Sequence, residues 1–246
     1  MEGTCRRALE YGLPGIAFTD HADFVAVHQG QHELDVAGYL AAVDRCRSLF
    51  ADLRILSGVE LGEPHRYPEE TAAVLAAGRL DRVLGSVHCI QVGGRPRDMS
   101  ERGLMTPTTS PGLFRDYLAE VLALVRSSQP FEVLAHIDYP RRYWPHAELP
   151  LDEGDFEEEY RTILRESARR GSVLEVNTTR GAEWPRGLCP GPRVIGWWRE
   201  EGGERLSFGS DSHEPSRIAA GFAAAAAAVE AAGFEPAADP TGFWRR

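Results

Sequence analysis

Residues 132–140 read EVLAHIDYP, a short apolar run that ends in His136 and Asp138. Similar runs alternate along the chain with amphipathic segments, which is the pattern of βα units around a parallel sheet. This pattern gives six candidate strands, residues 15–20, 54–60, 82–88, 132–138, 172–177 and 205–211. The sequence therefore predicts an α/β protein built on a parallel sheet.

Amphipathic segments between the candidate strands have apolar residues at spacings of three and four, which predicts helices. The four main ones are a helix capped by Asp35, a helix with Pro111 in its first turn, and residues 155–170 and 215–232. Two stretches, residues 91–110 and 178–192, are rich in glycine, proline, threonine and arginine. We expect them to form long loops at the face where the strands end.

The ends of the candidate strands carry ionisable side chains. Five of the six strands end in histidine, aspartate or glutamate, within FTDHAD (18–23), SGVELGE (57–63), GSVHC (85–89), LAHIDYP (134–140) and FGSDSH (208–213). Parallel strands point their carboxyl ends the same way, so these side chains are expected to converge on one pocket. Each of them alone is more simply a hydrogen-bonded core residue or a helix cap.

Burying so many ionisable groups together is costly unless something compensates their charge, and divalent cations are the obvious compensation. The donors are oxygen and imidazole nitrogen without thiolate, a mixture that suits zinc, manganese or iron. A carboxylate such as Glu60 can bridge two such ions about 3.5–4 Å apart, where they lower the pKa of a bridging water and hold phosphate oxygens. The chemistry favoured is hydrolysis of a phosphate ester by a metal-bridging hydroxide.

The composition argues against several other classes of function. The net charge of −10 disfavours a surface that binds nucleic acid, and the absence of lysine excludes Schiff-base and P-loop chemistry. We find no apolar run of 18 or more residues and no signal peptide. The four cysteines lack C-x-x-C spacing, as expected of reduced thiols in a cytoplasmic protein. We therefore expect a small phosphorylated substrate as partner, with no nucleic acid and no membrane, and leave the oligomeric state open.

Taken in order, the segments FTDHAD, GVELGE, GSVH, LAHIDYPRRY, LEVNT and FGSDSH resemble the successive motifs of PHP (polymerase and histidinol phosphatase) domain proteins. The similarity is greatest to the histidinol-phosphatase-like branch and runs from the first residues to about Phe234. The resemblance implies a distorted (β/α)7 TIM-like barrel with a trinuclear metal site. We expect residues 1–246 to form a single domain of this kind.

The resemblance also implies a role for each matching residue. Glu60 would bridge two metal ions, and His88 and His136 would bind the second of them. Asp211 would bind the first ion, while His21 and His213 would bind a third. The predicted ligands of two to three divalent ions (Zn, Mn or Fe) are therefore His21, Glu60, His88, His136, Asp211 and His213. Asp211, Glu60 and His213 would act in catalysis.

Further polar residues near these motifs are candidates for supporting roles. Arg142 in HIDYPRRY and Arg180 after LEVNTT are predicted to bind phosphate oxygens, because planar guanidinium groups suit them; Arg141 is a weaker candidate. The alternative for all three is a solvated surface arginine. Asp20 and Asp138 are expected to orient ligands. The remaining histidines are expected at the surface: His28, His32, His65 and His146.

One part of the family pattern is missing from the sequence. PHP proteins open with a strand that ends in an H-x-H motif, whereas the first histidine here is His21 and the family barrel has one strand more than we predict. Residues 1–12 are predicted to form the first helix. Either the sequence begins at an internal methionine of a longer protein, or it is a short form that has lost part of the first metal site. The short form would have unpaired strand edges.

The leading functional prediction is a phosphoric monoester hydrolase that converts histidinol phosphate to histidinol, a late step of histidine biosynthesis. Two alternatives stay open. One is a PHP phosphoesterase that acts on another small phosphate, such as a nucleotide or sugar phosphate. The other is a metal-poor relative without turnover. The choice of substrate follows from the resemblance alone.

Overall fold

The computed structural model describes residues 1–28, 33–179 and 187–246. Within these residues the α-helices are α1 (Glu2–Glu10), α2 (Val36–Leu49), α3 (Pro68–Ala76), α4 (Ser110–Arg126), α5 (Glu157–Arg170), α6 (Pro192–Glu200) and α7 (Phe222–Ala231). The strands are β1 (Gly15–Asp23), β2 (Arg54–Gly62), β3 (Arg82–Ser86), β4 (Cys89–Val92), β5 (Arg95–Asp98), β6 (Val133–Leu134), β7 (Val173–Asn177), β8 (Arg205–Gly209) and β9 (Trp244–Arg245). Short 3-10 helices span Ala26–His28, Tyr139–Tyr143, Glu153–Phe156 and Pro215–Arg217.

A seven-stranded sheet forms the centre of the fold, in the order β1-β2-β3-β6-β7-β8-β9. Its first six strands are parallel, and the short β9 runs antiparallel to β8. These six parallel strands are the six that the sequence predicts, with ends that differ by a few residues. The sheet is curled like part of a barrel, which confirms the predicted α/β, TIM-like fold.

Local sequence explains where several helices begin and end. The Asp35 side chain accepts a hydrogen bond from the Gly38 backbone N at 3.1 Å and caps α2, as predicted. Proline lies in the first turn of α3, α4 and α6, where its missing N–H costs nothing. Helix α5 is capped at its C-terminus by Gly171, whose φ of 73° suits glycine. No helix among the described residues combines the length and apolarity needed to cross a membrane.

The two faces of the sheet carry different clusters of apolar residues. Alternate residues of β6 and β7, such as Leu134 and Leu174, belong to the large core shared with helices α4, α5 and α6. Their neighbours Val133 and Val173 pack with Leu84 in a smaller cluster on the other face. Glu60 pairs in register with Leu84, so it lies on this second, inner face. On the inner face, Glu60 therefore lies beside the apolar cluster of Leu84, Val133 and Val173.

The prediction of a loop over residues 91–110 is partly wrong. Strands β4 and β5 form an antiparallel hairpin in this region. Its turn is Gly93–Gly94, with φ values of 60° and 77°, which matches the tight hairpin turns that place both central residues at positive φ. The hairpin follows β3 directly and projects from the carboxyl end of the sheet.

Candidate metal centre

Strand register brings the predicted ligands to one end of the sheet. His21 in β1 lies directly beside Glu60 in β2. His88, His136 and Asp211 each come two residues after the last residue of a parallel strand, respectively β3, β6 and β8. Because the carboxyl ends of parallel strands lie at the same edge, these side chains meet there, as the sequence predicts.

Glu60 lies at the centre of this group. Its Oε1 atom is 2.7 Å from His136 Nε2 and 3.1 Å from His88 Nε2. The donor atoms of His21, Glu60 and His88 all lie within 4.8 Å of one another. Burial by itself would raise the pKa of Glu60, but the His136 and His21 imidazoles outweigh it and hold that pKa well below its usual value. Glu60 is therefore a buried carboxylate surrounded by imidazoles.

A second group of donors shares His21 with the first. His21, Asp211 and His213 also have donor atoms within 4.8 Å of one another, and the rings of His21 and His213 lie 5.7 Å apart. The His213 side chain is largely exposed, whereas that of Asp211 is mostly buried. The two groups together contain five of the six predicted ligands, and His136 contacts Glu60 directly.

The donors present are of the kinds that bind divalent ions. Ring centroids lie 5.5 Å apart for His21 and His88 and 5.2 Å apart for His88 and His136. Charging all three imidazoles would place like charges side by side in a buried site. Neutral imidazole and ionised carboxylate are the forms that bind metals. The buried Nδ1 of His136 also has no hydrogen-bond partner among the described residues, unlike that of a satisfied core histidine.

The backbone is strained where three strands deliver their side chains. Glu63, His136 and Asp211 have φ values of 45°, 23° and 46°, in the left-handed region that residues with a side chain rarely adopt. Such positions cost about 1–3 kcal/mol each and concentrate at functional sites. Here they lie just after β2, β6 and β8, at the rim of the pocket.

Asp23 orients the histidines, a role that is not among the predictions from the sequence. Its carboxylate lies 3.4 Å from His21 Nδ1, 3.2 Å from His88 Nδ1 and 3.4 Å from His28 Nδ1. Burial would raise the pKa of Asp23, but these imidazoles outweigh it and hold the pKa far below its usual value. A carboxylate at Nδ1 fixes a histidine so that Nε2 faces the metal. In the sequence, this role is indicated only by the two-residue spacing of His21 and Asp23, which places both side chains on the same face of a strand.

Arg142 lies in the same pocket and is buried. Its Nη1 is 2.8 Å from Asp211 Oδ2, and its guanidinium lies over the Tyr139 ring at 5.0 Å from the centroid. The Nε and Nη2 atoms of Arg142 are buried without a hydrogen-bond partner among the described residues. Two such donors on one planar guanidinium suit an anion with two oxygens.

Other predicted residues lie elsewhere. Arg180 and His32 are outside the described residues. Arg141 is buried and pairs with Glu153 and Asp138, so the expectation of a solvated arginine is wrong for this residue. Arg141 and its partners lie away from the pocket lining, to which Arg142 belongs.

The expectation that His28 and His65 lie at the surface is also wrong. His28 is 8% exposed and lies between Asp23 and Asp98, with Nε2 2.9 Å from Asp98 Oδ2. Hydrogen bonds with Asp23 and Asp98 raise the pKa of His28 to about 12. The His65 side chain is 9% exposed and pairs with Glu120. The pairings of His28 with Asp98 and of His65 with Glu120 cannot be recognised from sequence spacing, since these partners are distant in the chain.

A cavity of about 300 Å³ opens onto these groups. Its lining includes predicted ligands and Arg142, and also residues that the sequence analysis did not select: His28, Asp98, Ser100, Tyr139, Tyr143 and Thr179. Cavities of this size are typical of sites for small molecules.

The fold and the site define an α/β protein with a histidine–carboxylate centre at the carboxyl ends of a curled parallel sheet. The family model of the PHP domain matches residues 1–179, and the chain belongs to this family. The family predicted from the sequence motifs is therefore confirmed. The model ends before Asp211 and His213, which β8 brings into the same pocket.

Two relatives and one solved structure agree with this assignment. The chain is 27% identical over 224 residues to a Clostridium acetobutylicum protein named "Probable histidinol-phosphatase", covering 90% of this chain and 84% of the relative. It is 27% identical over 238 residues to the histidinol-phosphatase of Lactococcus lactis subsp. lactis, covering 96% and 86%. The crystal structure of histidinol phosphate phosphatase from Lactococcus lactis, complexed with zinc, L-histidinol and phosphate, superposes with a TM-score of 0.83 at 24% identity, covering 95% of this chain and 87% of that one.

Proposed function

We propose that this protein hydrolyses a small phosphate monoester with divalent metal ions held by the six predicted ligands. One observation carries the proposal. The Glu60 carboxylate is buried among the imidazoles of His88 and His136, and the same pocket holds Arg142, whose guanidinium has two buried donors without a partner among the described residues. A cation-binding group and an anion-binding group therefore face one cavity.

Each residue has a distinct part in this proposal. Divalent ions, when bound, make water a nucleophile at neutral pH and stabilise charge on phosphoryl oxygens. Glu60 would join two ion positions, because imidazoles approach it from different strands. Arg142 would donate Nε and Nη2 to two phosphate oxygens while Asp211 holds its Nη1. We assign the catalytic step to Asp211, Glu60 and His213. The phosphate contact of Arg180 stays a prediction.

Similarity to the relatives supports histidinol phosphate as the substrate. Both relatives carry the name histidinol-phosphatase, and the Lactococcus lactis structure is a complex with zinc, L-histidinol and phosphate. Zinc is also one of the metals that the nitrogen and oxygen donors of this site suit. The proposed reaction is hydrolysis of histidinol phosphate to histidinol.

We also propose that residues 1–246 act as one domain. The C-terminal strand β9 pairs with β8 in the same sheet as β1 and β2. Residues on both sides of the family-model boundary line one cavity, among them His21 and His213. Separating the C-terminal part would divide the proposed site.

Phosphate release from a panel of esters tests the proposed function. The protein, loaded with zinc or manganese, is assayed with histidinol phosphate, sugar phosphates, nucleoside monophosphates and a phosphodiester. We expect kcat/KM for histidinol phosphate to exceed the others by at least about tenfold, which corresponds to about 1.4 kcal/mol of discrimination. The activity should vanish on chelation and in Glu60→Gln but persist in Glu101→Gln, which changes an exposed glutamate.

Two results would contradict the proposal in different ways. If the protein prefers another monoester, the assignment of histidinol phosphate as substrate is wrong, but the assignment as a metal-dependent phosphatase stands. Bound metal without turnover of any ester in the panel would identify a relative without catalysis.

A further inference from the structure

We propose that His28, Cys89 and Asp98 form a separate site for a borderline-soft divalent cation such as Zn²⁺, next to the centre around Glu60. The proposal concerns residues outside the six predicted ligands. It does not depend on phosphatase activity, because the site can be filled and measured whether or not the protein hydrolyses any ester.

The β4–β5 hairpin brings the first two donors together. Cys89 and Asp98 are direct cross-strand partners, so their side chains lie on the same face of the hairpin. The Asp98 carboxylate is held by the Ser100 backbone N–H at 2.6 Å and by the Tyr139 hydroxyl at 3.4 Å. The Cys89 backbone N–H donates to the Glu63 carboxylate at 2.7 Å. These contacts hold Asp98 and Cys89 in place through atoms other than Asp98 Oδ2 and Cys89 Sγ, the two atoms that face His28.

His28 supplies the third donor from the short helix Ala26–His28. Its Nε2 atom lies 2.9 Å from Asp98 Oδ2 and 3.5 Å from Cys89 Sγ. The donor atoms of the three residues all lie within 4.8 Å of one another. His28 and Cys89 are buried, at 8% and 3% exposure. Two segments distant in the chain, the short helix Ala26–His28 and the β4–β5 hairpin, thus converge on one small volume.

Asp23 orients His28 in the same way as it orients His88. It contacts Nδ1 of both rings, which lie nearly parallel with an interplanar angle of 16° and centroids 6.3 Å apart. His88 consequently presents Nε2 to Glu60, whereas His28 presents Nε2 to Asp98 and Cys89. A carboxylate on the far nitrogen is the usual partner of a metal-binding histidine. His28 therefore has the orientation of a ligand but faces a different set of donors.

The donor set indicates the class of cation. One nitrogen, one sulfur and one carboxylate oxygen suit zinc, whereas magnesium, calcium and manganese prefer oxygen donors. His28 and Asp98 line the cavity, so a cation bound there would have one side open to it. Zinc sites with three protein ligands commonly leave the fourth position to water.

Cobalt(II) substitution tests the site with a readout that activity does not provide. Metal-free protein is titrated with Co²⁺, and the thiolate-to-cobalt charge-transfer band in the near ultraviolet is recorded. We expect this band in the unaltered protein. In Cys89→Ser we expect the band to disappear and about one fewer ion to be bound per chain. Cys46→Ala, which changes a buried cysteine in the apolar cluster that contains Cys5 and Val43, should keep the band.

Two further variants make the test decisive. Asp98→Asn preserves the size of the side chain and serves as the second variant if Cys89→Ser disturbs folding. It should weaken Co²⁺ binding at this site at least about tenfold. Glu60→Gln should retain the band, because it removes a ligand of the other centre only. Absence of a thiolate band in the unaltered protein, or an unchanged band in Cys89→Ser, would overturn the proposal and leave His28 as an imidazolium paired with two carboxylates.

Discussion

Arg142 combines near-complete burial with incomplete hydrogen bonding. Only Nη1 of its guanidinium has a charged partner in the described residues, Asp211 at 2.8 Å. A buried donor without a partner costs about 1–3 kcal/mol, so proteins rarely keep two on one side chain without a use. An anionic ligand in the cavity would satisfy both donors. At the scale of single residues, this arginine is the clearest indication of what the pocket binds.

Replacing this arginine by lysine tests its role. Arg142→Lys keeps the positive charge but loses the planar pair of donors, so we expect KM for histidinol phosphate to rise at least about tenfold. Steady-state kinetics on the metal-loaded protein measures the change. Arg193→Lys is the control, since Arg193 is exposed and pairs with Asp152 away from the pocket. An unchanged KM in Arg142→Lys would return Arg142 to a purely structural role.

At the scale of secondary-structure elements, a tyrosine of α2 is bonded into the sheet. The Tyr39 hydroxyl donates to the Phe18 carbonyl at 2.7 Å and accepts from the Gly58 backbone N–H at 2.7 Å. It thereby joins the helix to β1 and β2, the strands that supply His21 and Glu60.

Removing this hydroxyl should loosen the strand pair. Tyr39→Phe leaves one backbone donor and one acceptor unpaired in a buried region, so we expect the free energy of unfolding to fall by about 1–3 kcal/mol. Urea unfolding followed by circular dichroism measures it. Tyr11→Phe, at a tyrosine that is 51% exposed, should change little. Equal stability of both variants would show that water replaces the Tyr39 hydroxyl without cost.

Gly62 at the end of β2 allows Asp23 to approach the strand. A Cβ atom at this glycine would lie 1.9 Å from Asp23 Oδ1, too close for both to keep their places. Since Asp23 contacts three histidines, Gly62→Ala should displace the carboxylate that orients them.

We expect Gly62→Ala to weaken zinc binding about 10–100-fold, as measured by competition with a chelating dye. Gly196→Ala is the matched control, because a Cβ there meets nothing within 4 Å and alanine favours the α6 helix. Zinc affinity in Gly62→Ala equal to that of the control would mean that Asp23 does not position the ligands.

The sequence predicts the parallel strands and most of the helices, but it misses the β4–β5 hairpin and two helices. All six parallel strands follow from apolar runs, and their ionisable ends predict the side chains that meet around Glu60. The β4–β5 hairpin was not predicted, because its second strand reads RPRD and has no apolar alternation. Helices α3 and α6 were also missed. Asp98 and His28 could not be assigned to the site, because the hairpin is what brings them together.

At the scale of the whole molecule, ion pairs between distant segments contribute to stability. Glu120 in α4 pairs with Arg66 and His65, which follow β2. Burial would raise the pKa of Glu120, but hydrogen bonds from Arg66 and His65 outweigh it and lower the pKa to about 2 from 4.5. A carboxyl with a lowered folded-state pKa stabilises the fold above its unfolded pKa and loses that contribution as the pH falls through the folded value.

Acid unfolding tests this linkage. At neutral pH, Glu120→Gln should reduce the free energy of unfolding by about 1 kcal/mol, because the pair is partly solvated. The difference from the unaltered protein should shrink as the pH falls from about 4.5 towards 2. Denaturant titrations at a series of pH values give both results. Glu101→Gln, in an exposed pair with Arg97, is the control and should show little effect. A difference that is independent of pH would exclude the ionised pair as its cause.

The central claim about the molecule is that divalent cations bind among histidines and carboxylates at the carboxyl ends of its parallel strands. Metal content after equilibrium dialysis against zinc, compared between the unaltered protein and Glu60→Gln, tests it most directly. We predict about two or more tightly bound ions per chain in the unaltered protein and at least about one fewer in Glu60→Gln, with Glu101→Gln unchanged. Less than about one ion per chain in the unaltered protein, or equal content in Glu60→Gln, would contradict the metal centre.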